Sequence, residues 1–234
     1  MLMKKRTFPI FFILFSTLLF SFLYGCEKDV IPQKKQQAFT EEFDTVANLY
    51  NRGWVFNNKS QPLGTATWQQ GLYATGKLGL EGFPAFSYHS SSDEYILAGF
   101  NTGNNIATIS SWMISPEIEI KDGDQFYFYT RTLSGSAFAD RLQIRLNPTD
   151  ASDNVGNTAT SVGAFTSLVA DINANYATGA TGYPQSWRKY EYKISGFPKA
   201  QKTRIAFRYF VELGGINGLR SNAIGIDQFH FEPL

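Results

Sequence analysis

A period of two runs through most of this chain. Phe126 and Phe128 alternate with Tyr127 and Tyr129, and Leu142, Ile144 and Leu146 with Gln143 and Arg145. Tyr190, Tyr192 and Ile194 alternate with Glu191 and Lys193, and Ile205, Phe207, Tyr209 and Val211 with Ala206, Arg208 and Phe210. Successive side chains of an extended strand point to opposite faces, so each set sends one row inward and the other toward solvent. Turn signals separate the sets: Lys121-Asp122-Gly123-Asp124, Asn147-Pro148-Thr149-Asp150, Ser195-Gly196-Phe197-Pro198 and Gly214-Gly215-Ile216-Asn217-Gly218. No stretch sustains a helical period, and Thr166 to Asn173 reads as one short helical turn. Aromatic residues make up 16% of the chain and charged residues 18%, a balance that suits pleated, half-buried surfaces. The expected fold is all-β, a two-sheet antiparallel β-sandwich of jelly-roll type.

The last strand breaks its own alternation. Ile224 and Ile226 share one parity, Phe229 and Phe231 the other, and the switch falls at Asp227-Gln228. Such a switch marks either a β-bulge, which re-aims a side chain, or a strand buried on both faces.

The N-terminal segment has a different character. Lys4, Lys5 and Arg6 precede an apolar run from Phe8 to Tyr24, and Gly25-Cys26 closes it. A basic start, an apolar middle and a small residue at the cut make a secretory signal. A cysteine directly after the cut resembles a lipobox, with Cys26 as the lipidated residue. Read as a span instead, the run is about 17 residues, the lower edge of what crosses a bilayer. The lipoprotein reading divides the chain into a signal peptide (1–25), a polar flexible tether (26–37) and one domain (38–234). An acylated chain is anchored to the membrane without spanning it. Glu27-Lys28-Asp29 resembles the export signal of Bacteroidetes surface lipoproteins; it reads equally as a solvated linker. The expected location is the cell envelope, at the outer membrane and exposed at its surface.

Charge and cysteine content narrow the function. Removing residues 1–25, with three basic residues and no acid, takes the formal charge from +1 to −2. Nucleic acid is therefore not an expected partner, since phosphate binding needs a basic patch. Cys26 is the single cysteine, so a lipidated chain forms no disulfide and must be held by packing.

Catalytic signatures are sparse. The two histidines are His89, in a Ser-rich stretch, and His230, in the last strand; no Gly-x-Ser-x-Gly elbow or phosphate-cradling glycine motif accompanies them. No His/Cys cluster suggests zinc. Glu94, Glu117, Glu119 and Asp140 are of the residue type that cleaves glycosides, but Glu117 and Glu119 alternate with Ile118 and Ile120 as a solvated strand face does. The chain is expected not to be an enzyme. Among the four tryptophans, Trp112 and Trp187 read as core. Trp68, beside Gln69, Gln70 and Tyr73, is the candidate for an exposed sugar-stacking platform, with Tyr73 as its neighbour.

Several strings together resemble the choice-of-anchor J domains, relatives of the cleaved-adhesin and MAM-like jelly rolls. They are Ala38-Phe39-Thr40-Glu41-Glu42-Phe43-Asp44-Thr45-Val46 with Gly53-Trp54-Val55-Phe56, then Ser111-Trp112-Met113-Ile114-Ser115-Pro116, Asp140-Arg141-Leu142-Gln143-Ile144-Arg145-Leu146, Arg204 to Val211, and Ile224-Gly225-Ile226-Asp227. The resemblance spans Phe39 to Pro233 and implies an extracellular binding or adhesion module for a glycan or a surface protein. A glycan-active hydrolase and a structural subunit of a surface assembly are the alternatives. It also implies a structural calcium between the first and last strands. Glu42 and Asp44, two apart on the first strand, and Asp227 at the parity switch are the candidate ligands. Asp150-Ala151-Ser152-Asp153-Asn154 lacks the glycine and distal glutamate of an EF-hand and reads as a surface turn.

Overall fold

The alternating segments form strands that pair into two antiparallel sheets, in a computed structural model that describes residues 36–73 and 82–234. Cys26, the signal segment 1–25 and the tether up to residue 35 lie outside the described residues. Sheet A runs β11 (Arg188–Lys193), β8 (Gln125–Thr132), β14 (Ala223–Glu232), β5 (Ile96–Gly99), β4 (Gln69–Gln70), with β1 (Phe39–Glu41) also on β14. Sheet B runs β10 (Ser167–Ile172), β9 (Leu142–Leu146), β13 (Ile205–Gly214), β6 (Gly103–Ile114), β2 (Val55–Asn58), with β3 (Gln61–Leu63) also on β6. A small ribbon pairs β7 (Ile118–Ile120) with β12 (Gln201–Thr203). Among the described residues there is no α-helix, only short 3₁₀ turns.

The inward rows interdigitate. Phe126, Phe128, Ile224, Ile226, Phe229 and Phe231 from sheet A meet Ile109, Met113, Leu142, Ile144, Phe207 and Val211 from sheet B, all buried. Phe207 stands edge-on to Phe128 (5.1 Å, 89°) and to Phe229 (5.6 Å, 87°), the aromatic arrangement that quadrupoles favour.

Both outer faces are also covered in part. The loop 82–95 lies on sheet A, where Phe83, Ala85, Tyr95 and Leu97 form a second cluster. Gly225 of β14 makes this possible: a Cβ there would meet the Phe83 ring at 2.5 Å. On sheet B, Val155 and Phe165 pack on Trp112, Ile114 and Ala206. This covering explains why β13, expected to be polar on one face, is buried on both from Ile205 to Val211.

Arg208 sits beneath that cover, 2% exposed, between the Trp112 and Phe210 rings (4.8 and 4.0 Å). Its guanidinium donates to Ser110 Oγ, Gln143 Oε1 and the Ala159 carbonyl, none of them charged. Burial, then the nearby Arg145 and Arg141, pulls its pKa down to about 9.

The segment expected as a helical turn at 166–173 is instead strand β10, paired with β9 from Ser167 to Ile172 with a shift between Leu168 and Ala170. Long-range ladder pairing overrides a weak local preference there.

Asp140, fully buried, joins the sheets' ends. Its Oδ1 accepts from Tyr209 Oη (2.6 Å) and the Asn222 amide (2.8 Å). Thr132 Oγ1 lies 2.7 Å from Asp140 Oδ2 and 2.8 Å from the Ala223 carbonyl, but a hydroxyl has one proton. The neutral acid would satisfy both contacts, with Oδ2–H donating to Thr132 and Thr132 to Ala223. Burial raises the Asp140 pKa in that direction from an ordinary 3.8. The folded chain thus holds this proton more tightly than the unfolded one. The resulting stability is full below the ordinary aspartate range and is lost as pH rises through the folded-state value. Asp140→Asn, which carries a donor at the same atom, is expected to fold with stability within about 1 kcal/mol of wild type at pH 7 and to flatten its pH dependence. Asp140→Ala is expected to lose about 2–4 kcal/mol in urea titrations, since it strands buried partners.

Candidate functional site

Strand β14 changes neighbours along one edge, and the candidate site sits at the change. Ala223 to Ile226 pair with β5, while Phe229 to Phe231 pair with β1. The ladder to β8 shifts between Asp227 and His230, and Gln228 takes φ 47°. The parity switch is therefore a bulge, which keeps Ile224, Ile226, Phe229 and Phe231 all inward. Asp227 is fully buried where loop 82–95 crosses: Phe86 and Ser87 amides donate to Oδ2 (2.9 and 3.0 Å), and the Gln228 amide donates to Oδ1 (2.7 Å). Burial pushes this carboxyl up to about 7, against the three amides, and the charge of Glu42 pushes the same way.

The first strand stops sooner than its spacing suggests. β1 ends at Glu41, and Phe43 adopts φ 55°, a left-handed conformation rare for a bulky residue. Glu42 and Asp44 therefore leave the ladder instead of sharing one strand face, although both line one open concavity with Thr40, Thr45 and Arg52. Glu42 Oε2 is buried without a partner. Asp44 Oδ1 lies 3.4 Å from His89 Nδ1, and one ligand atom each from Asp44, His89 and Glu94 lie within 4.8 Å of one another.

Glu42 and Asp227 fit a hard divalent cation on chemistry. A buried carboxylate oxygen without a partner, and a buried carboxyl whose charged form burial and the Glu42 charge disfavour, are deficits that a cation corrects. Asp44 shares a concavity with Glu42, while its carboxylate groups with His89 and Glu94.

Two residues that pattern reading passed over organise this corner. Glu41 is buried and receives a bidentate fork from Arg52 (2.8 and 2.9 Å), Trp54 Nε1 (3.2 Å) and the Phe43 amide (3.2 Å). Glu94 accepts from Ser90 Oγ and from the His89 and Ser90 amides, which hold its pKa down to about 2. Glu94 thus shapes the loop, Asp140 is internal, and Glu117 lies near Lys202 and Arg204 (3.8 and 3.7 Å). His230 bridges Thr40 Oγ1 (2.7 Å) and Glu232 Oε2 (3.2 Å) and stacks on Tyr127.

Trp68 is corrected: it is 3% exposed and part of the main core, so it presents no open stacking face, and its ring N–H is buried without a partner. Tyr73 is 36% exposed, with its amide on Asp93 Oδ1. Trp112 is buried, but under the sheet B cover. Trp187 is only half-buried, packed edge-on to Phe83 and Tyr95 with its ring N–H on the Pro84 carbonyl.

No family model and no curated protein matches this sequence. Among solved structures, the K1 cleaved adhesin domain of Lys-gingipain from Porphyromonas gingivalis is 15% identical over 85% of this chain and 99% of that chain, with a TM-score of 0.53. The K3 cleaved adhesin domain of the same protein is 14% identical over 78% and 100%, with a TM-score of 0.41. The C-terminal CBM6 of LamC, a marine laminarinase from Zobellia galactanivorans, is 13% identical over 84% and 99%, with a TM-score of 0.37. The first of these establishes a shared fold.

Asp227 carries the contact between loop 82–95 and β14. Asp227→Ala is expected to free that loop, so that limited proteolysis cleaves within residues 82–95 at least several-fold faster than in wild type. Unchanged cleavage would show that the aromatic cluster under Phe83 holds the loop alone.

Proposed function

We propose that this chain is a choice-of-anchor-J-type surface lipoprotein, lipidated at Cys26, whose β-sandwich binds an extracellular glycan or surface protein without catalysis. The observation that carries the reading is the fold held in common with a domain described as a cleaved adhesin. The commitment of Asp140 and Glu94 to internal contacts supports it, because a glycosidase needs a free pair of carboxylates facing each other. Binding rests on loops displayed by a rigid sandwich.

A structural calcium belongs to the same proposal. Glu42 and Asp227 are its ligands at the β14 bulge, with Asp44 and backbone carbonyls completing an oxygen shell. Its role is to join β1, the bulge and loop 82–95, so that the ion replaces the unfavourable burial of Asp227 with a paired charge.

Three experiments test these statements. Cys26→Ser is expected to leave an unprocessed precursor that takes up no labelled fatty acid; normal processing and labelling would remove the lipobox assignment. The full-length chain, probed on a glycan array and against surface-protein extracts, is expected to bind one of the two. Calcium is expected to raise its melting temperature by several degrees over chelator, and Asp227→Ala to abolish that difference. Hydrolysis of an arrayed glycan would overturn the non-catalytic reading.

A further inference from the structure

One pole of the sandwich is almost free of charge. The segments 61–66, 99–107, 132–139, 173–187 and 213–223 contain a single charged residue, Arg220. Strand pairing gathers them at the same end: Leu63 opposes Gly103, Ala107 opposes Gly214, Gly99 opposes Ala223, and Thr132 opposes Ile224. Residues 173–187 join Ile172, opposite Leu142, to Arg188, opposite Thr130. Gln36 lies at the other pole, beside Pro233 and Leu234.

A cleft of about 190 Å³ opens near this pole on the outer face of sheet A. Among the described residues its lining has no charged residue and includes Gln69, Phe100, Asn101, Leu133 and Asn222. Phe100 is 40% exposed. Among the described residues, the side-chain amides of Gln69 and Asn101 make no hydrogen bond within the chain. Asn222 is braced from behind: its amide N–H is on Asp140, its Nδ2 on Ser136 Oγ, and its carbonyl takes the Phe100 amide.

We infer that this cleft binds an uncharged saccharide. The inference rests on the glycan arm of the proposed function and names its place and ligand class. A side-chain amide presents one donor and one acceptor side by side, which matches a pair of neighbouring sugar hydroxyls. Gln69 and Asn101 supply two such pairs without breaking any internal bond, so neither leaves a stranded partner on binding. The Phe100 ring offers a π face to the apolar C–H side of a pyranose. Among the described residues, the lining places no fixed cation against a uronate or sulfate, which would then lose its hydration uncompensated. The volume is below the ~300–1,000 Å³ of drug-sized sites, so it seats a single ring, with the rest of the glycan outside. The competing aromatic surface around Tyr127 is unsuited to stacking: Lys189 Nζ lies 4.0 Å over the ring, His230 stacks on it, and Glu191 and Glu232 flank it.

The test is binding of the full-length chain to arrayed neutral, uronate-bearing and sulfated oligosaccharides, followed by calorimetric titration of the strongest neutral hit. A neutral glycan is expected to bind, and Asn101→Ala and Gln69→Ala each to weaken it about tenfold. Asn101→Asp, of equal shape, is expected to lose binding with an unchanged melting temperature, and Tyr127→Ala to bind as wild type. Neutral binding that ignores Gln69 and Asn101, or binding of acidic glycans alone, overturns this site and leaves the glycan function standing. Silence across the array overturns both, in favour of a protein partner.

Discussion

The two sheets are joined by rings. Phe207 projects from sheet B between Phe128 and Phe229 of sheet A, and Trp54 closes on Phe229 from the side at 5.8 Å. Each such pair adds roughly 0.5–1.5 kcal/mol to the burial of its area. With a single cysteine in the whole chain, no cross-link shares this task. The rings also set the relative position of the sheets, and so of every loop at either pole. A shift of one residue in β13 would turn Phe207 outward and bring Arg208 into the core, which is why the register tolerates no slippage.

The bulge in β14 is where that rigid interior becomes adaptable. A straight strand would place either Ile224 and Ile226 or Phe229 and Phe231 on the wrong face. The extra residue lets all four point inward and lets one edge serve β5 and then β1. The local cost is visible in the left-handed backbone of Gln228 in the bulge and of Phe43 just past the end of β1. The same geometry seats Asp227 on the amides of Phe86 and Ser87. Structural necessity in the sheet thus aims this carboxyl at loop 82–95.

Much of the architecture was legible from alternation. Strands β8, β9, β11 and β13 and the jelly-roll class follow from side-chain period; its single break marks Asp227, and only the ladder to β8 decides for a bulge over a strand buried on both faces. What escaped were contacts between segments far apart in sequence. Trp68 looked like an exposed platform because its neighbours are polar; its own ring turns into the core while Gln69 faces out. Glu41 and Arg52 carry no pattern that marks a buried bidentate pair. Arg208 occupies a polar position in its alternation, and only the cover formed by residues 150–166 makes that position internal. The 166–173 segment became a strand because β9 offered an edge to pair with.

The sequence by itself determined the kind of object this is: which rows of side chains leave water, hence a β-sandwich, and where the last strand breaks its alternation. These depend on neighbours one or two residues apart, and a linear chain records them. The tertiary structure alone decided what is displayed. The sparsely charged pole, the cleft between Gln69, Asn101 and Asn222, and the seating of Asp227 beneath loop 82–95 each combine residues from distant segments. Their proximity is a property of sheet order and register, and burial raises the Asp227 pKa beneath loop 82–95.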